Sequence, residues 1–442
     1  MTMTAGLGLF SQYQPDENFA WCDSLPITQQ EFLQQVVALA ACLPEQPYII
    51  NLCRDRYNFT LAFCAALVNG TISLLPPNRQ SDTIVEMAAE YQAFSCLVDE
   101  SSNIDGLDCI DVRAVDKIQL ATVALKVPVI PADQLAVIAF TSGSTGKPAA
   151  NKKSWRTLIG TSRLLAQRLF HDVAQAPNII ATVPAQHMYG LEMSVMVALF
   201  GGGVMVSTHP FFPQEVADSL ALAPEPRCLV TTPVHLRAMI KSEIKMPRVA
   251  KVISATAPLA KEIAQQAEEV FGCDVEEIYG CTEAGSLATR RTVSDDEWRM
   301  LDGMTLVDDQ GALAVIGSHL SDAPCLQDSL ELVDAQSFRF IGRATDLVNI
   351  AGKRTSLADV THKLLAIDGV DDAVVFMPEE AGKHVQRLAA LVVTELSNQE
   401  ISRELLRFLD PVFIPRPLKR VAQLPRNDVG KISISTAQEI IK

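Results

Sequence analysis

Leu135-Ala-Val-Ile-Ala-Phe140 runs directly into Thr141-Ser-Gly-Ser-Thr-Gly-Lys-Pro148. An apolar, β-branched run followed by a dense group of small hydroxyl and glycine residues predicts a buried strand ending in an open loop. Glycine lets the main chain approach a ligand closely. Ser and Thr hydroxyls, with main-chain N–H groups, donate to anionic oxygens, so the loop suits a phosphate. It is not a Walker A loop. That motif separates its two glycines by five positions and follows its lysine with Ser or Thr. Here Gly143 and Gly146 are three positions apart and Pro148 follows Lys147.

Outward from this stretch, helical and extended patterns alternate. Upstream, Thr28-x-x-Glu31 has the form of a capping box, and Ile27 with Phe32 has hydrophobic-staple spacing, which predicts a helix from Gln29 to about Leu43. A strand Tyr48–Leu52 follows, then a helix near Thr60–Val68 stopped by Asn69-Gly70 and a strand Thr71–Leu75 cut by Pro76-Pro77. A helix Asp82–Tyr91 and a strand Cys96–Val98 repeat the pattern. Downstream, strands are expected at Ile179–Val183, Val204–Ser207, Cys228–Thr232 and Val252–Ser254. The alternation predicts an α/β fold whose large layered N-terminal domain, 1–343, is built on mostly parallel sheets. From about Asp346 the texture changes. A helix near Leu357–Ala366, strands Ala373–Met377 and Leu388–Val393 and a helix Gln399–Leu409 predict a small α+β C-terminal domain, 344–442, with Asp334–Thr345 as the connection.

Composition bounds the function. The 442 residues are 48% hydrophobic and 20% charged, enough for a sizeable core and without the bias of a disordered chain. A net charge of −15 argues against duplex nucleic acid or an anionic membrane as the main partner, while a local cluster of donors can still hold a small anion. The first basic residue is Arg54, so no signal-peptide n-region is expected. The longest apolar run, Met193 to Val206, is interrupted by Ser194 and Gly201-Gly202-Gly203 and reads as a core helix, a glycine turn and a strand, with no membrane insertion. The 10 cysteines form no C-x-x-C pair, which points away from zinc or a disulfide framework and toward reduced thiols in the cytoplasm.

Further stretches follow the loop. They are Pro184-Ala-Gln-His-Met-Tyr-Gly190, Ser254-Ala-Thr-Ala-Pro-Leu259, Tyr279-Gly-Cys-Thr-Glu283, Asp328 fifteen residues before Arg343, Gly342-Arg-Ala-Thr-Asp346, Gly352-Lys-Arg354 with Asp359, and Leu424-Pro-Arg-Asn-Asp-Val-Gly-Lys431. Each residue taken alone has an ordinary structural explanation: a core histidine, a solvated carboxylate, a surface lysine. In this order, however, they resemble the adenylate-forming superfamily of acyl- and aryl-CoA synthetases, stand-alone adenylation domains and firefly-type luciferases. The resemblance spans about Leu135 to Lys431.

It implies the following roles. Thr141, Ser142, Gly143, Ser144, Thr145, Gly146 and Lys147 hold the phosphates of ATP. His187 gates the carboxylate pocket, and Ser254, Ala255, Thr256 and Ala257 line the acyl and adenine pockets. Tyr279 packs on adenine beside Gly280, the Thr282 hydroxyl binds the α-phosphate, and Glu283 helps to hold Mg²⁺. Asp328 accepts from the ribose hydroxyls and Arg343 reaches the nucleotide at the hinge of a mobile C-terminal lid. Lys431, on a glycine-containing loop of that lid, is the catalytic lysine. These residue types suit their tasks: an aromatic face, hydroxyl donors, a hard oxygen ligand and a delivered positive charge.

The sequence also departs from the family pattern. Ala149 replaces the lysine that usually follows the loop's proline, leaving Lys147, Lys152 or Lys153 to meet the β- and γ-phosphates. Cys325-Leu-Gln-Asp328 keeps only the Asp of a longer run. Thr345 stands at the hinge, and Asp359 replaces a Glu. A finer signature, Pro148-x-x-x-Lys152-Lys-x-Trp155 with Tyr279-Gly-Cys-Thr-Glu-Ala-Gly-x-x-Ala-Thr-Arg-Arg291, is similar to ligases of bacterial aryl polyene and xanthomonadin-type pigment pathways. That similarity implies a hydroxybenzoate-like acid loaded onto the phosphopantetheine thiol of an acyl carrier protein. The basic clusters 151–156 and 416–420 are candidates to meet an acidic carrier or coenzyme A, and equally read as solvated faces. The alternatives are an aryl- or acyl-CoA synthetase, and a nucleotide-binding homologue without turnover.

Overall fold

The computed structural model describes residues 6–101, 104–117, 126–141, 149–309, 312–343, 347–350, 353–378, 387–426, 432 and 434–441. They fall into two compact units. The first runs to Asp295 and adds Arg299–Val307 and Val315–Pro324; the second comprises Asp296–Trp298, Asp308–Ala314 and the chain from Cys325 onward.

The first unit contains two parallel cores. One sheet has the order 149–154, 135–141, 72–75, 48–51, 95–98, 108–111, parallel throughout except for the hairpin of its first two strands. Its inner strands 72–75, 48–51 and 95–98 are nearly continuous runs of buried residues, as strands covered on both faces require. The helix Gln29–Cys42 starts at the expected capping box: the Glu31 carboxylate accepts from the Thr28 N–H at 2.8 Å, and Thr28 Oγ1 accepts from the Glu31 N–H at 3.2 Å. The next helix, Arg56–Val68, begins a full turn before the expected Thr60, because Asp55 caps it and the first-turn Arg56 is buried rather than solvated.

The second sheet of this unit contains, in order, 285–291, 275–281, 251–254, 227–231, 178–181, 204–206, 18–22 and 25–28. The six strands from 275–281 to 18–22 are parallel; antiparallel hairpins flank them on either side. The run after His187 is helical, as expected, yet Leu191–Met196 is wound as a π-helix between Met188–Gly190 and Val197–Phe200. Such insertions widen a helix locally and collect at functional sites. Gly201-Gly202-Gly203 then turns the chain into Val204–Val206.

In the second unit, Val370–Phe376 pairs antiparallel with Ala389–Thr394, which pairs parallel with Leu418–Arg420. The helices Leu357–Leu365 and Asn398–Leu405 place Val360, Leu364, Ile401 and Leu405 in one core with Val375, Ala390 and Val392. The expected connection instead holds a strand, Ser337–Arg343, paired with Asp328–Leu332. Its Ser-Phe-Arg-Phe alternation, with Phe338 buried and Arg339 exposed, is the period-2 pattern of a half-buried strand. Among the described residues, no helix is long and apolar enough to cross a membrane.

Candidate active site

In the larger unit, the motif residues leave the carboxyl ends of neighbouring parallel strands. Strand 178–181 leads to His187, strand 251–254 ends at Ser254 and leads to Ala255, Thr256 and Ala257, and strand 275–281 carries Tyr279 and Gly280 into the turn with Thr282 and Glu283. In open α/β sheets this edge is where ligands bind. Hydrogen bonds tie the segments together. The Tyr189 hydroxyl donates to the Ile253 carbonyl at 2.8 Å, and the Leu259 N–H donates to Glu277 Oε1 at 2.8 Å. Glu277 is itself buried, which raises its carboxyl pKa, while Arg290 and Thr292 stabilise the ionised form.

Burial separates these residues. Tyr279, Ser254 and Ala255 are buried, His187, Thr256 and Thr282 are half-buried, and Ala257, Gly280 and Glu283 are exposed. Thr256 has φ +79°, a left-handed conformation that a β-branched residue rarely adopts and that costs on the order of 1–3 kcal/mol. Such strain collects in ligand-facing loops. Gly190 shows why the Pro184–Gly190 segment needs its glycine: a Cβ there would sit 2.0 Å from the Pro184 carbonyl oxygen.

Of the phosphate loop, the strand Leu135–Thr141 is in place, with Thr141 in register opposite Ala149. The loop therefore joins two antiparallel strands, unlike a Walker A loop, which enters a helix. Ser142, Gly143, Ser144, Thr145, Gly146 and Lys147 lie outside the described residues, as does Lys431. Lys152 is exposed on the returning strand, whereas Lys153 is buried and its Nζ donates to the main-chain carbonyl of Glu283.

In the smaller unit, Asp328 and Arg343 stand directly opposite each other in the antiparallel ladder, so residues fifteen positions apart in sequence are brought together by a hairpin. Arg426 and Ile432 form a β-bridge across the ends of the segment that carries Lys431. Arg426 donates two hydrogen bonds to Asp372, at 2.7 and 2.6 Å.

Sequence reading did not single out Glu192, a buried carboxylate in the π-helix that accepts from the N–H and Oγ of Ser286. A carboxylate at the border of a long apolar run was the available signal. Cys281 lies beside Thr282; burial, with Glu283 adding, pushes its thiol pKa up to about 12, which disfavours the thiolate.

A family model described as AMP-binding enzyme matches residues 12–313. The chain is 21% identical over 388 residues to a 3,4-dihydroxybenzoate--[aryl-carrier protein] ligase of Bacillus anthracis, covering 85% of this chain and 86% of that protein. It is 28% identical over 302 residues to a 4-coumarate--CoA ligase of Halorhodospira halophila, covering 66% and 73%. The solved structure of o-succinylbenzoate CoA synthetase from Bacillus subtilis, in complex with its acyl-adenylate intermediate, superposes with a TM-score of 0.83 over 97% of both chains at 17% identity. That likeness establishes the fold.

Proposed function

The chain belongs to the AMP-binding enzyme family and is an ATP-dependent, AMP-forming acid–thiol ligase; from that premise we propose that its acid is an aryl carboxylate of the hydroxybenzoate kind and its acceptor the phosphopantetheine thiol of an acyl carrier protein. The observation that carries the site assignment is the convergence of the His187, Ser254–Ala257 and Tyr279–Glu283 segments on one carboxyl edge of a parallel sheet. The relative named as an aryl-carrier protein ligase spans 85% of the chain, which supports the acceptor, and the pigment-ligase signature around Lys152–Trp155 supports an aryl acid.

In the proposed reaction, an oxygen of the substrate carboxylate attacks the α-phosphorus of ATP. The bond from that phosphorus to the bridging oxygen breaks, and pyrophosphate leaves. The Thr282 hydroxyl donates to an α-phosphate oxygen, and Lys431 neutralises the charge that accumulates between carboxylate, phosphorus and leaving group. Asp328 accepts from the ribose hydroxyls, Arg343 reaches the nucleotide, Tyr279 packs on adenine, and His187 bounds the carboxylate pocket. The carrier's sulfur then attacks the acyl carbon and AMP leaves with the bonding electrons. Glu283 offers one exposed hard oxygen ligand, which would help to hold a Mg²⁺ ion brought with the substrate phosphates, and that ion would supply charge stabilisation. A cytoplasmic location, with ATP and reduced thiols at hand, completes the proposal.

A second acceptor is favoured by the coenzyme A ligase among the relatives. Intact-mass analysis separates the two: hydroxybenzoate, ATP and enzyme are incubated with a holo acyl carrier protein or with coenzyme A. Acylated carrier formed much faster than aryl-CoA supports the proposal. Aryl-CoA formed at the higher rate overturns the carrier assignment.

A further inference from the structure

Glu192 and Lys153 are charged side chains only 2% and 3% exposed. Burying a charge costs several kcal/mol unless partners compensate it. Lys153 is one of the sequence candidates for the β- and γ-phosphates and Glu192 belongs to no motif, yet the partners of both lie in one short turn. Lys153, on the strand that returns from the phosphate loop, donates from Nζ to the carbonyl of Glu283. Glu192, in the π-helix that follows His187, accepts from the Ser286 N–H at 3.1 Å and from Ser286 Oγ at 2.5 Å. The turn in which Cys281 pairs with Gly285 is thus held at the Glu283 carbonyl and at Ser286, and it carries Thr282 and Glu283.

The fit is close. Gly285 has φ +84°, and a Cβ on it would stand 2.5 Å from Glu192 Oε1, so the carboxylate occupies the space any side chain there would need. Burial raises the Glu192 carboxyl pKa to about 7, with Ser286 and Lys153 opposing the shift, while burial lowers that of Lys153.

We propose that Glu192 and Lys153 are a pair of positioning residues that hold the Thr282–Glu283 turn at two points and thereby tie the strand Ala149–Ser154 and the π-helix after His187 to the hairpin that carries it, for adenylation. The assignment rests on the roles proposed above for Thr282 and Glu283. The clamp acts through hydrogen bonds to the Glu283 carbonyl and to the N–H and Oγ of Ser286, so it fixes the main chain from which those two side chains begin. Supporting contacts behind a metal or phosphate site commonly change activity by about 10–100-fold when removed.

The test uses the full chain with Glu192→Ala, Glu192→Gln and Lys153→Met, and two readouts. Amide hydrogen exchange follows the peptide covering 281–286, and carboxylate-dependent ATP–pyrophosphate exchange gives kcat and KM. Glu192→Ala is expected to lower kcat by about tenfold or more while the KM for ATP moves less than about threefold. Its 281–286 amides should exchange faster, with strands 178–181 and 227–231 unchanged. Glu192→Gln, whose amide oxygen still accepts from Ser286, should recover most of the loss. Wild-type kcat and amide protection in Glu192→Ala, or a Gln variant no better than Ala, overturns the clamp. If Glu192→Ala does not fold, Lys153→Met decides by the same two readouts. If the wild type exchanges with no acid, the proposed function is what fails, and amide exchange still judges the clamp.

Discussion

His235 is a titratable side chain held neutral by its surroundings. It is buried, its Nδ1 lies 3.0 Å from Thr232 Oγ1 and 3.2 Å from Thr182 Oγ1, and the Phe211 ring meets it edge-on at 5.2 Å. Burial lowers its pKa to about 4. As pH falls, the unfolded chain therefore takes up this proton first. The stability His235 contributes is full above about pH 6.5 and is lost progressively toward pH 4, by roughly 3 kcal/mol in all. Thermal melting of wild type and His235→Asn should show the gap between them shrinking as pH drops from 7 to 4.5; a constant gap contradicts the assignment. Glu192 has the opposite sign. Its raised pKa makes it increasingly costly as pH climbs from about 4.5 to 7, so Glu192→Gln should gain on wild type over that range. At this scale the sequence offers its candidates through local motifs. His187, Thr282 and Glu283 sit in local motifs whose order is informative. Lys153 and Glu192 were illegible as a clamp, because their partners lie 130 and 94 residues away and no local pattern records them.

Elements that carry their own signals were read closely, and those that depend on distant packing were not. The helix Gln29–Cys42 begins where Thr28 and Glu31 said it would, because a capping box is complete within a few residues. Thr28→Ala should cost about 1 kcal/mol in chemical denaturation and leave ATP–pyrophosphate exchange intact; loss of exchange would mean the helix does more than support the fold. The strand Ala149–Ser154 reads Ala-Ala-Asn-Lys-Lys-Ser and has no strand-like alternation of its own; pairing with Leu135–Thr141, buried from Ala136 to Phe140, makes it a strand. The hairpin turn at Gly285 tests the same idea from the other side. Gly285→Ala forces a positive φ on an L side chain and drives a methyl into Glu192, so it should lose about 2 kcal/mol of stability and at least tenfold in exchange rate. Wild-type values in both measurements would show that the turn yields.

For the whole chain, alternating βα texture made the layered α/β architecture legible, and the parallel strands at the centre of each large sheet follow from it. The flanking antiparallel hairpins did not, since 18–22 with 25–28 and 275–281 with 285–291 alternate no helix between them. One of those hairpins carries Thr282 and Glu283, so the least predictable part of the sheet holds two of the residues proposed to act on the nucleotide. Both units carry motif residues, with Lys431 in the C-terminal portion of the chain. Lys431→Ala should accordingly bind ATP like the wild type and lose carboxylate-dependent exchange. The most direct measurement is ATP–pyrophosphate exchange with Mg²⁺ across hydroxybenzoates, cinnamates and fatty acids, run on wild type and Lys431→Ala together. Exchange that requires a carboxylate, is fastest with a hydroxybenzoate and disappears in Lys431→Ala is the predicted result. Measurable ATP binding without exchange for any acid, or exchange that survives in Lys431→Ala, contradicts it.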